Sequence, residues 1–357
     1  MADEPERQAP FQAPTHAAPP TVGRPPTMAD IARAAGVSES TVSRALAGSS
    51  LVSAKTRDKV RRIAAAHHYR INERARSFRL QKSSTVALVT CGVRRGTLSL
   101  PASFLIDLVA ELAERGGGEG YDLLISRDIH EDRALMSDLI GAQRAGGVIV
   151  LGQGGHHHLL NALADEGWPF VVWGAQRPDQ RYATVGSNNV RGGAMAAGHL
   201  LALGRRRILF LGDPDHIEAG DRYRGYCRAH AEAGVAVDPT LVLRHHNAGL
   251  LNKARLQALL ADGPAFDAVM ATSDLLALGA IQTLDHAGVR VPHDVAVVGF
   301  DDIHSARHAT PPLTTVRQDV KGGAAYLFDA LIRRMAGDRP ASVVLETRLI
   351  QRASCGG

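Results

Sequence analysis

From Val86 onward the chain alternates short apolar runs with longer amphipathic stretches, and this alternation restricts the possible folds more than any other feature of the sequence. The apolar runs have the length of β-strands, and they predict strands at 86–90, 122–125, 147–151, 169–173, 207–212, 267–271 and 295–300. The stretches between them predict helices at 103–115, 131–143, 188–203, 218–233 and 273–287. Strands that are apolar throughout are typical of parallel sheets covered on both faces. The sequence therefore predicts a doubly wound α/β fold, and the length of this region suits two lobes with a cleft between them.

The composition argues against several other classes of protein. Hydrophobic residues make up 45% of the 357 residues, which is enough to form a large core. Cys91, Cys227 and Cys355 lie far apart and form no CxxC pair, which argues against a disulfide framework or a zinc site and favours a reducing compartment. No apolar run reaches the length of a membrane span, and the acidic first residues lack the apolar segment of a secretory signal. We therefore expect a cytoplasmic protein.

The positive charge of the chain is concentrated near its start. Residues 27–82 hold 12 Lys and Arg against 4 Asp and Glu, a net charge of +8, whereas the whole chain carries +5. A small basic module joined to a nearly neutral larger region is typical of a nucleic-acid-binding protein. Residues 1–26 are rich in Pro and Ala without periodicity, so we expect a disordered leader there.

The basic segment contains three short predicted helices. Thr27 can cap the first helix with Asp30 completing a capping box, and Gly36 can end it. Ser38 and Ser53 can cap the second and third helices. The predicted inward faces consist of Ile31, Ala34 and Ala35, then Val42 and Leu46, then Val60, Ile63, Ala64 and His67. A helix, a tight turn, a helix with a polar outer face and a third helix together favour a helix-turn-helix domain.

Residues 27–46, TMADIARAAGVSESTVSRAL, resemble the start of members of the lactose-repressor (LacI) family of bacterial transcription regulators. Further motifs of this family follow in the same order, namely VSAKTR at 52–57, ARSFR at 75–79, RYRGY at 222–226, SDLLALGA at 273–280, VVGFDD at 297–302 and TPPLTTVRQ at 310–318. Because independent motifs recur in order along most of the chain, the resemblance covers everything except the leader and the last few residues.

The resemblance implies an operator-binding domain, a hinge and a two-lobed core like the periplasmic sugar-binding proteins. The expected divisions are a leader at 1–26, a helix-turn-helix domain at 27–71, a hinge at 72–82 and an effector-binding, dimerising core at 83–357. Within the core, one lobe is expected at about 83–187 and 318–341, and the other at 188–317 and 342–357. The resemblance also implies a sequence-specific regulator, a repressor, that binds pseudo-palindromic double-stranded DNA as a homodimer. Such a protein is expected on the bacterial nucleoid.

The resemblance places the base-reading side chains on the second helix, at Glu39, Ser40 and Arg44. Arg can donate two hydrogen bonds to guanine, and Glu can accept one from the amino group of cytosine. The alternative for Arg44 is a phosphate contact alone. Phosphate contacts are expected from hydroxyl, amide and basic groups, namely those of Thr27, Thr41, Ser43, Ser53, Thr56, Arg57 and Asn72.

The hinge is expected to contact the minor groove through Ala75, Arg76, Phe78 and Arg79. Related regulators have a leucine at the position of Phe78, and that leucine wedges between base pairs. An aromatic ring can do the same, because inserted apolar groups unstack and kink the duplex. The alternative is that Phe78 packs against the hinge of the second copy.

The resemblance assigns the effector site to five residues of the core, Arg222, Ser273, Asp301, Gln318 and Trp173. A charged donor and a charged acceptor that face one cavity suit a polyhydroxylated ligand, so we expect a sugar. A non-sugar metabolite such as a purine is the alternative effector.

Each assignment has a structural alternative. Arg222 could pair with Asp221 or Glu218 on the surface, Asp301 or Asp302 could cap the following turn, and Trp173 could fill the core instead of stacking on a sugar ring. Gly174 stands where a family member has an acid. These alternatives stay open at the level of the sequence.

We expect no catalytic residue, metal or cofactor. His156, His157 and His158 are consecutive, so they cannot all face one ion from a regular element, and a loop or helix start is expected there. The sequence contains no nucleophile elbow, P-loop or HExxH motif. An enzyme, or a sugar-binding module without gene regulation, is the remaining alternative, because a doubly wound fold alone excludes neither.

Overall fold

The computed structural model describes residues 26–67, 69, 83–91, 102–126, 134–154, 156–245, 253–261 and 265–356. The chain divides into two compact units, Met1–Arg79 and Leu80–Gly357. Each unit has a hydrophobic core of its own. Among the described residues, no helix is both long enough and apolar enough to cross a membrane.

The first unit contains three helices, α1 (Met28–Ala35), α2 (Glu39–Leu46) and α3 (Ala54–Ala66). The predicted capping box is present, since Thr27 Oγ1 accepts a hydrogen bond from the Asp30 amide at 3.3 Å and the Asp30 carboxylate accepts one from the Thr27 amide at 2.9 Å. Ser38 and Ser53 cap α2 and α3 in the same way, through the amides of Thr41 and Thr56. Gly36 ends α1 with a φ of 68°, a conformation that glycine adopts without strain.

The core of the first unit contains the buried apolar residues Ile31, Ala32, Ala35, Val42, Ala45, Val52, Val60 and Ala64. The prediction of Ala34 and His67 as core residues is wrong, because both are exposed. Each residue advances a helix by roughly 100°, so Ala32 and Ala34 lie on opposite sides of the stripe formed by Ile31 and Ala35. The neighbouring helices cover the side of Ala32.

The second unit is built from strands and helices in alternation. Its elements are β1 (Thr85–Thr90), α4 (Ala102–Gly118), β2 (Asp122–Ile125), α5 (Ala134–Met136, continued by a π-helical turn at Ser137–Gly141), β3 (Gly147–Leu151), α6 (His157–Asp165), β4 (Phe170–Trp173), β5 (Thr184–Ser187), α7 (Asn189–Ala202), β6 (Ile208–Leu211), α8 (Ile217–Glu232), β7 (Val242–Leu243), α9 (Lys253–Leu260), β8 (Ala268–Ala271), α10 (Asp274–His286), β9 (Ala296–Asp301), β10 (Thr314–Gln318), α11 (Val320–Met335), β11 (Val343–Leu345) and β12 (Thr347–Ile350).

These strands form two six-stranded sheets. The first sheet has the order β11-β5-β4-β3-β1-β2, and the second has the order β12-β10-β9-β8-β6-β7. Every neighbouring pair is parallel except β10 and β12. Helix α11 packs against α4 and β4 of the first lobe, and α7 packs against α8 in the second. The predicted doubly wound, two-lobed α/β fold is confirmed.

The chain passes between the two sheets three times. The first passage follows β5, the second follows β10, and the third lies between β11 and β12. The last passage differs from the expected boundary at 341, because Val343–Leu345 pairs with Val185–Ser187 of β5 in the first sheet. The first lobe therefore extends to Leu345.

Candidate nucleic-acid interface and effector cleft

The outer face of α2 presents the three predicted base-reading side chains. Glu39, Ser40 and Arg44 are exposed, whereas Val42 and Ala45 on the opposite face are buried. The Ser40 hydroxyl lies 2.9 Å from the Ser38 hydroxyl. Within the described part of the first unit, the Arg44 guanidinium has no hydrogen-bond or ion-pair partner in the protein. Its donors are therefore available to a base edge or a phosphate.

The side chains predicted to contact phosphates differ in how many of their hydrogen-bonding groups are already used within the protein. The Thr27 amide and hydroxyl both donate to the Asp30 carboxylate, at 2.9 and 2.7 Å. The Ser53 and Thr56 hydroxyls lie 2.9 Å apart, as do those of Thr41 and Ser38. Thr27 therefore has no donor left for a phosphate, whereas Thr41, Ser53 and Thr56 keep hydroxyl groups at the starts of α2 and α3.

Arg57 has a structural role in addition to its charge. Its Nη1 donates to the Gly48 carbonyl at 3.3 Å and lies 3.5 Å from the Ser49 carbonyl, so it braces the loop between α2 and α3. Ser43 is partly buried on α2. The remaining predicted DNA contacts, Asn72, Ala75, Arg76, Phe78 and Arg79, lie outside the described residues.

In the second unit, the carboxyl ends of the two sheets face each other. Ser187 ends β5 of the first sheet, and its hydroxyl donates to Gln318 Oε1, at the end of β10, at 2.6 Å. Gln318 Nε2 in turn donates to Asp301 Oδ1, at the end of β9, at 2.7 Å. In open α/β sheets, ligands bind outside the carboxyl ends of the strands. We refer to the space between these two sheet edges as the cleft.

Arg222 reaches the cleft from α8. Its Nη1 lies 4.0 Å from Asp301 Oδ1, its Nε donates to Asn189 Oδ1 at 2.8 Å, and Nη1 also donates to the Thr272 carbonyl. The guanidinium carbon lies 3.6 Å from the centroid of the Phe300 ring, so the cation stacks on that ring. Burial lowers the pKa of Arg222, and the nearby Asp301 carboxyl opposes that shift. The structure thus brings Arg222, Asp301 and Gln318 together as predicted.

The surface alternative for Arg222 is wrong. Asp221 forms its ion pair with Arg224, and Glu218 forms one with His216 at 3.2 Å. Arg222 is only 11% exposed and points to Asp301 instead.

The backbone is strained at the end of β9, where Asp301 faces the cleft. Asp301 has a φ of 119° and Asp302 a φ of 56°, both in the region that favours glycine. Such backbone conformations cost roughly 1–3 kcal/mol and cluster at functional sites. Burial raises the pKa of Asp301 to about 6, while Arg222 and then Gln318 act to lower it.

Neither Asp301 nor Asp302 caps the following turn. The Ile303 amide donates instead to Asp274 Oδ2 at 2.9 Å, and Asp274 Oδ1 accepts the Thr315 hydroxyl at 2.5 Å. Asp302 accepts hydrogen bonds from Arg317 and Arg352, each at 2.6 Å, and therefore forms structural ion pairs with both.

Asp274 is a supporting residue that the sequence analysis missed. It is fully buried, and burial, followed by the nearby Asp301 carboxyl, raises its pKa well above the usual range. Its position directly after Ser273 in the SDLLALGA motif was the available signal. Ser273 itself caps α10, since its hydroxyl oxygen accepts the Leu276 amide at 3.3 Å, which leaves the hydroxyl proton and one acceptor position for a ligand.

Trp173 lies in the core of the first lobe. Trp173 is 7% exposed, its ring centroid is 5.3 Å from that of Phe104, and a Cβ at Gly323 would lie 2.3 Å from the ring. This packing favours the core-filling alternative over stacking on a ligand.

Gln153 is a second residue that the sequence analysis missed. It follows β3 at the same sheet edge, is fully buried, and donates from Nε2 to the Tyr182 hydroxyl at 2.9 Å. A Cβ at residue 174 would lie 2.9 Å from Gln153 Oε1, so glycine at this position makes room for the amide. Among the described residues, Gln153 Oε1 has no hydrogen-bond donor. A buried polar atom of this kind marks a place where a ligand or ordered water completes the network.

The histidine run forms a helix start, as predicted. Helix α6 begins at His157, whose Nδ1 lies 2.7 Å from the Tyr182 hydroxyl and whose Nε2 lies 3.1 Å from Asp179 Oδ1. Across the part of the chain that the structure describes, no three metal-ligating side chains come together.

A helix-turn-helix unit in one chain with a two-sheet unit like the periplasmic binding proteins defines a DNA-binding transcription regulator. Residues 27–72 match the family described as bacterial regulatory proteins, lacI family, and residues 197–355 match the periplasmic binding protein-like domain. The chain is 35% identical over 338 residues to the HTH-type transcriptional regulator CelR of Thermobifida fusca, covering 93% of this chain and 98% of that protein. It is 32% identical to DegA of Bacillus subtilis (strain 168), covering 92% of this chain and 97% of that protein. The chain therefore belongs to the LacI family of transcription regulators.

Solved structures of family members show the same architecture. A complex of CelR with cellobiose has a TM-score of 0.65 at 31% identity and covers 92% of this chain and 99% of its own. The lac repressor dimer bound to operator and the anti-inducer ONPF has a TM-score of 0.79 at 25% identity and covers 93% of this chain and 99% of its own.

Proposed function

We propose that this regulator is a repressor that binds a two-fold operator as a homodimer and is controlled by a carbohydrate effector in the cleft. The observation that carries the proposal is the constellation of Arg222, Asp301 and Gln318 at the carboxyl ends of the strands. It offers a charged donor, a charged acceptor and an amide to one small volume, and sugar hydroxyls both donate and accept.

The hydrogen bond between Ser187 and Gln318 suggests how the effector acts. Ser187 belongs to the first sheet and Gln318 to the end of the second, so this bond joins the lobes beside Asp301. A ligand that takes over hydrogen bonds of Asp301 or Gln318 changes that junction, and with it the preferred angle between the lobes. We therefore place the effector contacts at Arg222, Ser273, Asp301 and Gln318, and add Gln153 on the wall of the first lobe.

One relative supports a carbohydrate in particular. The solved complex of CelR with cellobiose is 31% identical to this chain. This chain keeps a compact donor and acceptor pair, so we propose a disaccharide or a related glycoside as the effector. We further propose 27–71 as the reading domain, 72–82 as the hinge, and the lobes as 83–187 with 319–345 and 188–318 with 346–357, since Gln318 pairs with Thr347 in the second sheet. The protein acts by binding alone, in the cytoplasm, at its operator.

A thermal-shift screen followed by operator-binding titrations tests this function. Disaccharides, monosaccharides and purines are added to the full-length protein, and a ligand at 100 times its Kd stabilises the fold by about 2.7 kcal/mol. We expect a disaccharide to raise Tm and to change operator affinity, and Arg222→Ala to abolish both effects. Arg224→Ala is the matched control, because this neighbouring arginine is 63% exposed and pairs with Asp221. Stabilisation by purines alone would contradict a carbohydrate effector.

The homodimer is tested separately by light scattering of the full-length protein at micromolar concentration. We expect the mass of two chains, because a two-fold operator is read by two copies of the helix-turn-helix. A monomer that binds the operator with full affinity, or a stable tetramer, would contradict this assembly.

A further inference from the structure

A second cavity lies in the first lobe, away from the cleft contacts described above. It has a volume of about 520 Å³, within the range of small-molecule sites. Most of its walls come from the edge where β4, β5 and β11 begin, which is the edge opposite the carboxyl ends of those strands. The polar and charged lining residues are Asp165, Gln176, Arg177, Gln180, Arg181, Arg334, Arg339 and Ser342.

The charge of this cavity is strongly unbalanced. Four arginines and one carboxylate line it, and that carboxylate, Asp165, is taken by Arg181 at 2.5 Å. Arg334 and Arg339 have no carboxylate within ion-pair distance among the described residues, and the buried Arg177 Nε has no acceptor among them. By contrast, Arg333 beside Arg334 does not line the cavity and is paired with Asp338 at 3.4 Å.

The Ser342 hydroxyl adds a neutral hydrogen-bond donor to the cavity lining, beside the arginines. Ser342 Oγ accepts hydrogen bonds from the Thr184 amide at 3.0 Å and from Gln180 Nε2 at 2.8 Å. Because both acceptor sites of the hydroxyl oxygen are used, its proton is left to donate. Gln180 is held in turn, since its Oε1 accepts the Arg177 amide at 2.7 Å. The cavity therefore presents several donors and almost no unpaired acceptor charge.

We propose that this cavity is a second ligand site, distinct from the effector cleft, that binds a small anion of the phosphate or phosphate-ester class. Guanidinium groups bind phosphate oxygens through paired, charge-assisted hydrogen bonds, and a phosphate group carries the acceptor oxygens that this lining needs. The volume accommodates an ester of the size of a sugar phosphate as well as the free ion.

Calorimetric titration of the full-length protein tests the site. Inorganic phosphate, glucose 6-phosphate and neutral methyl glucoside are titrated at constant ionic strength in a phosphate-free buffer. We expect both phosphates to bind, and Arg334→Ala combined with Arg339→Ala to weaken that binding by about tenfold or more. Arg333→Ala is the matched control and keeps wild-type affinity.

Two further variants separate this site from the others. Arg222→Ala should keep phosphate affinity, because it alters only the effector cleft. A loss of phosphate affinity in this variant would show that the phosphate binds in the cleft and would overturn the proposal. Absence of phosphate binding at millimolar concentration would overturn it as well, as would equal effects of Arg333→Ala and of the double variant. If the double variant binds operator less tightly and neither phosphate binds, the arginines serve DNA, and the small-anion site is wrong.

Discussion

At the end of β9, the Asp301 carboxyl is placed between one buried cation and one buried acid. Burial favours its neutral form, whereas Arg222 favours its charged form. Its pKa of about 6 brings the charge of the effector site close to the physiological range. The same side chain in water titrates near the ordinary carboxyl value, so the surroundings, and not the residue type, determine this behaviour.

Effector affinity should therefore fall as the pH falls through about 6, because protonation removes the charged acceptor at Asp301. The stability of the ligand-free fold should change in the opposite direction. The raised pKa means that the folded state holds this proton where the unfolded chain has released it, so its stabilising effect is lost as the pH rises through about 6. Calorimetry with the effector between pH 5 and pH 8 measures the first effect. In Asp301→Asn, affinity should be low and its pH dependence in this window lost; the same slope in the variant would exclude Asp301 as the titrating group.

Arg44 should distinguish sequence-specific from general DNA binding. Its exposed, unpaired guanidinium on α2 can donate two hydrogen bonds to one guanine. Arg44→Ala should therefore cost about 1–3 kcal/mol of binding free energy on operator and much less on random DNA. Gel-shift titrations on both DNAs measure this difference. Arg33→Ala is the control, since Arg33 pairs with Asp30 on α1. Equal losses on both DNAs would make Arg44 a phosphate contact.

Arg57→Ala provides the complementary measurement. If Arg57 contacts a phosphate, its loss should weaken binding to all sequences alike and reduce the salt dependence of binding. Because Arg57 also donates to the Gly48 carbonyl, the variant should unfold at a lower temperature as well. A specific loss on operator alone would contradict the phosphate role.

At the scale of the elements, the strands with purely apolar sequences were predictable and the polar ones were not. β3, with the sequence GVIVL, and β8, with AVMA, are apolar throughout, so their sequences indicate buried strands directly. β5 and β10, with the sequences TVGS and TTVRQ, are just as buried over most of their length. Their Ser, Thr and Gln side chains are buried because partners elsewhere in the chain satisfy them, as with Ser187 and Gln318 or Thr315 and Asp274. Local sequence does not show such partners.

The same reason explains what could be predicted of the site. Arg222, Asp301 and Gln318 were found through the family motifs that contain them. Gln153 and Asp274 were missed, because their roles depend on Gly174 in one case and on Thr315 in the other. Both contacts join segments that are distant in the sequence.

The pairing of α7 and α8 positions the cleft arginine. A Cβ at Gly225 would lie 2.1 Å from the Val190 carbonyl oxygen, and one at Gly193 would lie 2.1 Å from the Arg222 carbonyl oxygen. The two helix backbones can approach this closely only because both positions are glycine. The approach brings Asn189 to Arg222, which it orients through a hydrogen bond of 2.8 Å.

Gly225→Ala should therefore separate these helices and displace Arg222. We expect a loss of about 1–3 kcal/mol in the free energy of unfolding, as for other overpacked sites, together with weaker effector binding. Gly198→Ala on α7 is the matched control, because a Cβ there meets nothing within 4 Å. That variant should be more stable by about 0.5–1 kcal/mol, since Ala suits a helix interior better than Gly. Denaturant titrations compare the two; equal effects would mean that helix propensity, not packing, governs both positions.

At the scale of the whole molecule, the reading unit and the effector unit are separate compact bodies of one chain. We propose that a helix in the proposed hinge, 72–82, depends on the second copy of the chain and on DNA, because a peptide of this length is too short to form a stable helix alone in water. An effector can influence this equilibrium only if it binds one arrangement of the lobes better than the other. Arg222 and Asp301 on the second lobe, with Gln318 bonded to Ser187 of the first, are the groups through which such a preference can arise.

Two variants should therefore separate the two halves of the mechanism. Arg222→Ala should leave operator affinity nearly unchanged and abolish the influence of the effector on it, because the variant removes a ligand contact of the cleft and none of the DNA contacts. Phe78→Ala should do the reverse: operator binding weakens through loss of the expected minor-groove wedge, while the free protein keeps its effector affinity. Both constants are measured for both variants, by operator titration and by calorimetry. Coupling between the units through this hinge is wrong if Arg222→Ala still responds fully to the effector, or if Phe78→Ala binds operator as tightly as the wild type.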